Sequence, residues 1–239
     1  MRISRSLAAL PLLFRSPASA FELLRDRPGW IGALLLSLAV YAMSYAIQLP
    51  QSLRYQREVT RSTMEKLDLP DDQMEEALRR IPEPGNLSAS DAVKQILLPV
   101  AFLLPIFFLG AFAFHLLAKA FGAEPPFKLS MGIYSLAYVA SALGALVKGA
   151  LARASDTVEV SLSPAAVVPG AGFNSALGIF LDLFDVFSIL NLVLLAAGAE
   201  TAFRKPRQTA WSIAGSYWIL KSFVVFALRL SQSWFAGTL

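Results

Sequence analysis

The sequence predicts an all-α, polytopic integral membrane protein: five transmembrane helices, an N-terminal interfacial helix and one helical extramembrane loop. Three observations carry that prediction. The 239 residues are 56% hydrophobic and 16% charged, against about 45–50% apolar and about 25% charged in soluble domains. Mean hydropathy is +0.55, and the apolar residues fall in long runs rather than the dispersed pattern of a globular core. Lys and Arg are shared unevenly between the connections that separate those runs.

The first 29 residues form a segment of their own. Arg2 and Arg5, the apolar stretch Leu7 to Phe14 and then Ala18-Ser19-Ala20 imitate a cleaved signal peptide. The apolar stretch is short and holds Pro11, and Arg15 separates it from the small residues. An amphipathic helix lying at the interface and leading into the first span is therefore expected.

Crossing the hydrocarbon core takes roughly 20 apolar residues, and five segments qualify within a membrane domain covering 30–239. The spans are placed at about 30–49, 96–118, 129–149, 173–199 and 210–230. Residues 30–49 and 129–147 are free of charge; the second span holds only His115, the fourth Asp182 and Asp185, and residues 210–228 of the last only Lys221. Pro105 in mid-span should kink the second helix. The fourth is expected to begin near Phe173, because Pro164, Pro169, Gly170 and Gly172 mark the preceding stretch as a loop.

Basic residues then set an orientation. Arg2, Arg5, Arg15, Arg25 and Arg27 precede the first span, Lys119 and Lys128 join the second to the third, and Arg204, Lys205 and Arg207 join the fourth to the fifth. The opposite short segments offer Lys148, Arg153 and Arg229. Positive charge is retained on the cytoplasmic side, so the N-terminus should be cytoplasmic, with the C-terminus and loop 50–95 on the far side. That loop carries seven basic and nine acidic residues. Asp71 and Asp72 after Pro70, followed by Met74, Leu78 and Ile81, spell a capped amphipathic helix. Two short helices split at Pro70 and ended near Pro82 and Pro84 are expected, as a docking surface or a plain tether.

Several chemistries are excluded or disfavoured. With no cysteine there is no disulfide, thiolate site or cysteine nucleophile. The single histidine makes a histidine metal site or His-dependent triad improbable. No HExxH, P-loop, dinucleotide fingerprint or GxSxG occurs. Asp182 and Asp185 lie on one helix, whereas an intramembrane aspartyl protease needs its pair on two. No enzyme activity, cofactor or metal is expected. The net charge of +4 has no aromatic-basic stripe beside it, so nucleic acid is not expected as a partner.

Ionisable groups inside a span cost about 2.5–3.5 kcal/mol each on insertion scales and should have partners or a task. Counting from helix ends, Asp185 and Lys221 each lie about 15 Å below the same boundary. Asp185 is therefore expected to face Lys221, with Asp182 nearer the mouth beside Arg229 or Lys148. Such a pair could fix helix packing or line a polar pathway. His115, near the cytoplasmic end of its span, is expected to be a hydrogen-bonded interface residue. In the third span Ala137, Ser141, Ala145 and Gly149 recur every four residues, a small-residue row that lets helices approach closely. It could serve packing within the subunit or a homo-oligomer. Trp30, Trp211, Trp218 and Trp234 mostly fall near span ends, where aromatic belts form.

The motif order adds a family resemblance. Ser16-Pro17, Ala20-Phe21, Pro28 and Trp30 lead into the first span; Phe121-Gly122, Phe127-Lys128, Tyr134 and Tyr138 surround the start of the third. The strongest piece is Asp185-Val186-Phe187-Ser188-Ile189-Leu190, running on through Leu194 to Gly198. In these the chain resembles the YIP domain family, the Ypt/Rab-interacting membrane proteins, in its bacterial form. It departs at Leu190, where bacterial members usually have tryptophan. The resemblance implies five spans, a cytoplasmic N-terminus, a bacterial inner membrane and no enzymatic activity. Eukaryotic members are linked to Rab GTPases, but their DLYGP-type and GYxxP-type signatures are absent here.

Two functions are thus expected to compete. One is a membrane adaptor or organising subunit acting through membrane lipids and a membrane-protein partner or its own copies. The other is a small-solute, proton-coupled or lipid transporter using Asp182, Asp185 and Lys221 as an intramembrane path. A path requires those groups to line a cavity; an adaptor can bury them in contact.

Overall fold

Every residue from Leu129 to Ala140 is buried, so the third span is enclosed on all sides rather than presenting one apolar stripe. This places it at the centre of the bundle. The computed structural model describes residues 3–26, 28–67, 70–172 and 174–235. Arg2, Arg27 and Phe173 lie outside the described residues, and so do the side chains of Arg5 and Trp234.

The described residues are helical throughout, without strands. In chain order the helices are α1 (Ile3–Arg15), α2 (Pro17–Asp26), α3 (Ile31–Lys66), α4 (Asp71–Arg79), α5 (Ala89–Ala120), α6 (Phe127–Ser155), α7 (Ala176–Asp182), α8 (Val186–Ala202) and α9 (Arg207–Phe235). A single 3-10 turn, Pro164–Ala166, interrupts the connection between α6 and α7. Four helices, α3, α5, α6 and α9, are long and apolar enough to cross a membrane. The bent pair α7–α8 makes a fifth candidate. Its axes differ by 41°, so the chain keeps its heading and the pair reads as one interrupted crossing.

The N-terminal segment forms two helices where one was expected. Pro17 starts α2, the position where a missing N–H costs least. Ala9, Leu13, Ala20, Phe21 and Leu24 are buried in the common core. These helices are therefore part of the bundle's packing and not merely attached to it.

The first span needs a larger correction. α3 runs unbroken through Pro50 to Lys66, 36 residues or about 54 Å, against a hydrocarbon core of about 30 Å. The front of loop 50–95 is thus a continuation of the span and not a separate short helix. Two features support the extension. Gln51 Nε2 donates to Asp156 Oδ1 (3.2 Å) and Arg54 makes a two-pronged pair with the same carboxylate (2.8 and 3.0 Å), tying α3 to the end of α6. Further out, Arg57 donates to the carbonyls of Leu78 and Ile81, folding α4 back onto α3. The N-cap position of α4 is Pro70, with Asp71 and Asp72 in the first turn, where their charge favours the helix dipole. α5 is continuous through Pro99 and Pro105.

Around α6 stand α3, α5 and α8, with α9 against α5 and α8. No substantial packing joins α3 to α8. At one end of the bundle α1 and α2 occupy that gap, α1 against α3 and α2 against α8.

Candidate functional site

The fourth apolar run forms two helices, which corrects the continuous span placed at 173–199. α7 ends at Asp182 and α8 begins at Val186. Neither proline nor glycine stands at the break; Asp185 does. It is the N-cap of α8, its Oδ1 accepting from the amides of Phe187 (2.8 Å) and Ser188 (3.3 Å). The first amides of a helix lack intrahelical partners, and an aspartate satisfies them while its charge favours the positive end of the dipole. The break itself is closed by tight turns, Leu183 to Phe180, Phe184 to Leu181 and Asp185 to Asp182.

The other face of the carboxylates is met by cations from two further helices. Lys148 Nζ of α6 lies 2.9 Å from Asp185 Oδ2 and 3.8 Å from Asp182 Oδ1. Arg229 of α9 donates to Asp182 Oδ2 at 2.7 Å. Ser161, in the connection before α7, donates to Asp182 Oδ1 at 2.9 Å, and the Val186 amide reaches the Leu162 carbonyl at 3.4 Å. Two carboxylates and two cations therefore join α6, the break, α9 and the preceding connection. The carboxylates lie deeper, with Asp185 10% and Asp182 17% exposed against 26% for Arg229 and 31% for Lys148.

Lys221 does not meet Asp185 in an ion pair, and the expected facing pair is corrected. Its Nζ lies 3.4 Å from Ser188 Oγ, which also accepts from Trp218 Nε1 at 3.1 Å. Depth matching assumed an unbroken helix. Once Asp185 becomes a cap, its side chain turns back along α8's axis toward Lys148. Trp218 likewise serves this inner contact, in mid-helix, rather than a belt at a span end.

Two cavities converge on the cluster. One of ≈590 Å³ and one of ≈740 Å³ are both lined by Asp182 and Arg229, the larger also by Lys148, Tyr41, Tyr45 and Tyr55. Asp185 and Lys221 line neither. His115 is remote from all of this: its Nδ1 is 3.0 Å from Ser130 Oγ and its ring packs edge-on to Phe127. Among the described residues no group of three His, Asp or Glu is placed to hold a metal.

The small-residue row is spent inside the subunit. Ala137 and Ala145 accept at their carbonyls from Asn191 Nδ2 (2.9 Å) and Ser44 Oγ (2.6 Å). Ser141 is half-buried. A Cβ on Gly149 would stand 2.7 Å from Ser44 Oγ, and one on neighbouring Gly144 would stand 2.7 Å from Phe187. The row thus seats α3 on one side and α8 on the other.

Two features were not singled out from sequence. Asn191 is a polar residue within an apolar run, a signal of the same kind as the aspartates. The Tyr134 and Tyr217 hydroxyls pair at 2.7 Å beneath Phe107 and Phe114, a buried aromatic layer shared by α5, α6 and α9. Only their proximity in space reveals it.

A helical bundle with four to five candidate crossings, with two carboxylates and two cations gathered at a broken span, defines a polytopic integral membrane protein. The family model described as the Yip1 domain matches residues 12–229, and the chain belongs to the Yip1 domain family. It is similar to the membrane protein YknW of Bacillus subtilis (strain 168), 25% identical over 224 residues, covering 93% of this chain and 87% of that protein. No solved structure matches it.

Proposed function

We propose that the protein works in the bilayer by binding and not by catalysis, as a membrane adaptor or organising subunit for membrane proteins and lipids. The observation that carries this reading is the closed core below the charged cluster. Fourteen residues along α6 from Lys148, about 21 Å, Tyr134 is sealed among Phe107, Tyr138 and Tyr217. The cluster is neutralised within itself, which suits a clasp between helices. On α5 the exposed Leu98, Phe102, Ile106 and Leu109 offer a long apolar face to acyl chains or a neighbouring helix. In this reading the N-terminus faces the cytoplasm of a bacterial inner membrane, as the basic connections favour.

The test is extraction into native-lipid nanodiscs with mass spectrometry of what accompanies the chain. A stoichiometric membrane protein that stays bound to Asp182→Asn and Lys221→Met variants is expected. A chain that emerges without a protein partner, and whose reconstituted flux is abolished by Asp182→Asn with the fold intact, would replace this reading by the second. That second reading, a transporter or lipid scramblase, is favoured by one observation: Asp182 and Arg229 line both cavities.

A further inference from the structure

We propose that the turn between α6 and α7 is a bilayer anchor. Val167 and Val168 sit among the head groups and upper acyl chains of the adjoining leaflet, and the membrane thereby straps this connection over Asp182. Residues 160–181 carry no charge, and the polarity of the turn is the inverse of one that faces water. Val167 is 82% exposed, more than any other large hydrophobic residue among those described. Pro164, Ala166, Val168 and Pro169 are exposed around it. The hydroxyls are turned inward or spent locally: Ser161 donates to Asp182 Oδ1 at 2.9 Å, and the buried Ser163 accepts from the Ala165 amide at 3.2 Å. The connection between α4 and α5 has the ordinary arrangement, exposing Arg80, Glu83 and Asn86.

The backbone of the turn suits the same surroundings. A peptide group that leaves water needs a partner inside the protein. The amides of Ala166, Val167, Ala171 and Ser175 each close onto a carbonyl three residues back, at 2.9–3.2 Å. Pro164 and Pro169 bring no N–H that needs a partner.

Depth agrees with an interfacial seat. Glu200, exposed at the end of α8, marks one edge of the broken crossing. From Ala199 back to Val186 the helix rises about 21 Å. The bent α7 adds about 8 Å along the same direction, which brings Ala176 to the opposite edge of a hydrocarbon core about 30 Å thick. The 3-10 turn packs against α7, whose exposed Leu177 and Phe180 extend the apolar surface into the crossing. A turn held by the membrane also holds Ser161 on Asp182 and the Leu162 carbonyl on the Val186 amide, closing one side of the break. An anchor of this kind serves an adaptor and a transporter alike.

The chain has no cysteine, so Val167→Cys and, as a reference in solvent, Asn86→Cys can each carry a nitrobenzoxadiazole dye. The labelled full chain is placed in phosphatidylcholine nanodiscs, whose two faces are both open to water. Its emission is challenged with aqueous iodide, or with phospholipid bearing a nitroxide high on its acyl chain. At Val167 a blue-shifted emission is expected, lost mostly to the nitroxide lipid and little to iodide; at Asn86 the reverse is expected. Val168→Cys should repeat the Val167 pattern and covers the case in which the first variant folds poorly. Iodide quenching at the valines equal to that at Asn86 would put the turn in water and overturn the proposal. Resistance to both quenchers would overturn it as well, by putting a second copy of the chain over the turn.

Discussion

Asp185 joins two roles that sequence inspection separates, helix cap and ion-pair partner. One oxygen accepts from the Phe187 and Ser188 amides and the other meets Lys148. The two roles can be pulled apart by substitution. Asp185→Asn keeps a cap and removes the charge; Asp185→Ala removes both, and should be less stable than the asparagine variant by about 1 kcal/mol, the usual worth of an N-cap. Denaturant unfolding in detergent checks the difference, and equal stabilities would show that the cap contributes nothing. Gly144 gives a second expectation at this scale. A methyl there meets Phe187 Cβ and Cγ at 2.7 Å, so Gly144→Ala should cost about 1–3 kcal/mol as overpacking. A variant as stable as the parent would mean α6 and α8 can move apart freely.

Among the helices, α6 determines where the others stand, because its small residues allow α3 and α8 to approach by their backbones. Hydrogen bonds cross these contacts, Ser44 to Ala145 and Asn191 to Ala137. The tyrosine pair joins α6 to α9. Interhelical bonds in membranes average about 0.6 kcal/mol, so Tyr217→Phe should lower stability by about that amount and leave the fold unchanged, read by the same unfolding assay. The outward continuation of α3 makes a separate prediction. Amides of residues 52–60 should be protected from hydrogen exchange as helix, whereas those of the irregular stretch 82–87 should exchange fast. Equal exchange in both would return the front of the loop to a plain tether.

At the scale of the whole molecule, the orientation proposed from charge can be tested directly because the chain has no cysteine. Single cysteines at Glu75 and Gln208 should be labelled from opposite sides of the membrane, Glu75→Cys from outside an intact cell and Gln208→Cys only after permeabilisation. The reverse pattern would overturn the orientation. The all-helical, membrane-spanning character was legible in the sequence, because length and apolarity of a run suffice where every backbone polar group must be satisfied within its own helix. Asp182, Asp185 and Lys221 could be singled out in the sequence for a related reason: a charge within an apolar run is conspicuous at any fold. Their partners were not. Depth arithmetic presumes a straight, continuous helix, and a turn of three residues at Leu183–Asp185 was enough to redirect Asp185 from Lys221 to Lys148. The same limit hid the continuation of α3, since Pro50 reads locally as a stop and is carried through by contacts with Asp156, 105 residues away from Gln51. Local patterning establishes which segments are helices, because a helix closes its hydrogen bonds within a few residues. Which charges meet, and what cavity they enclose, depends on side chains distant in sequence and therefore on how the helices pack.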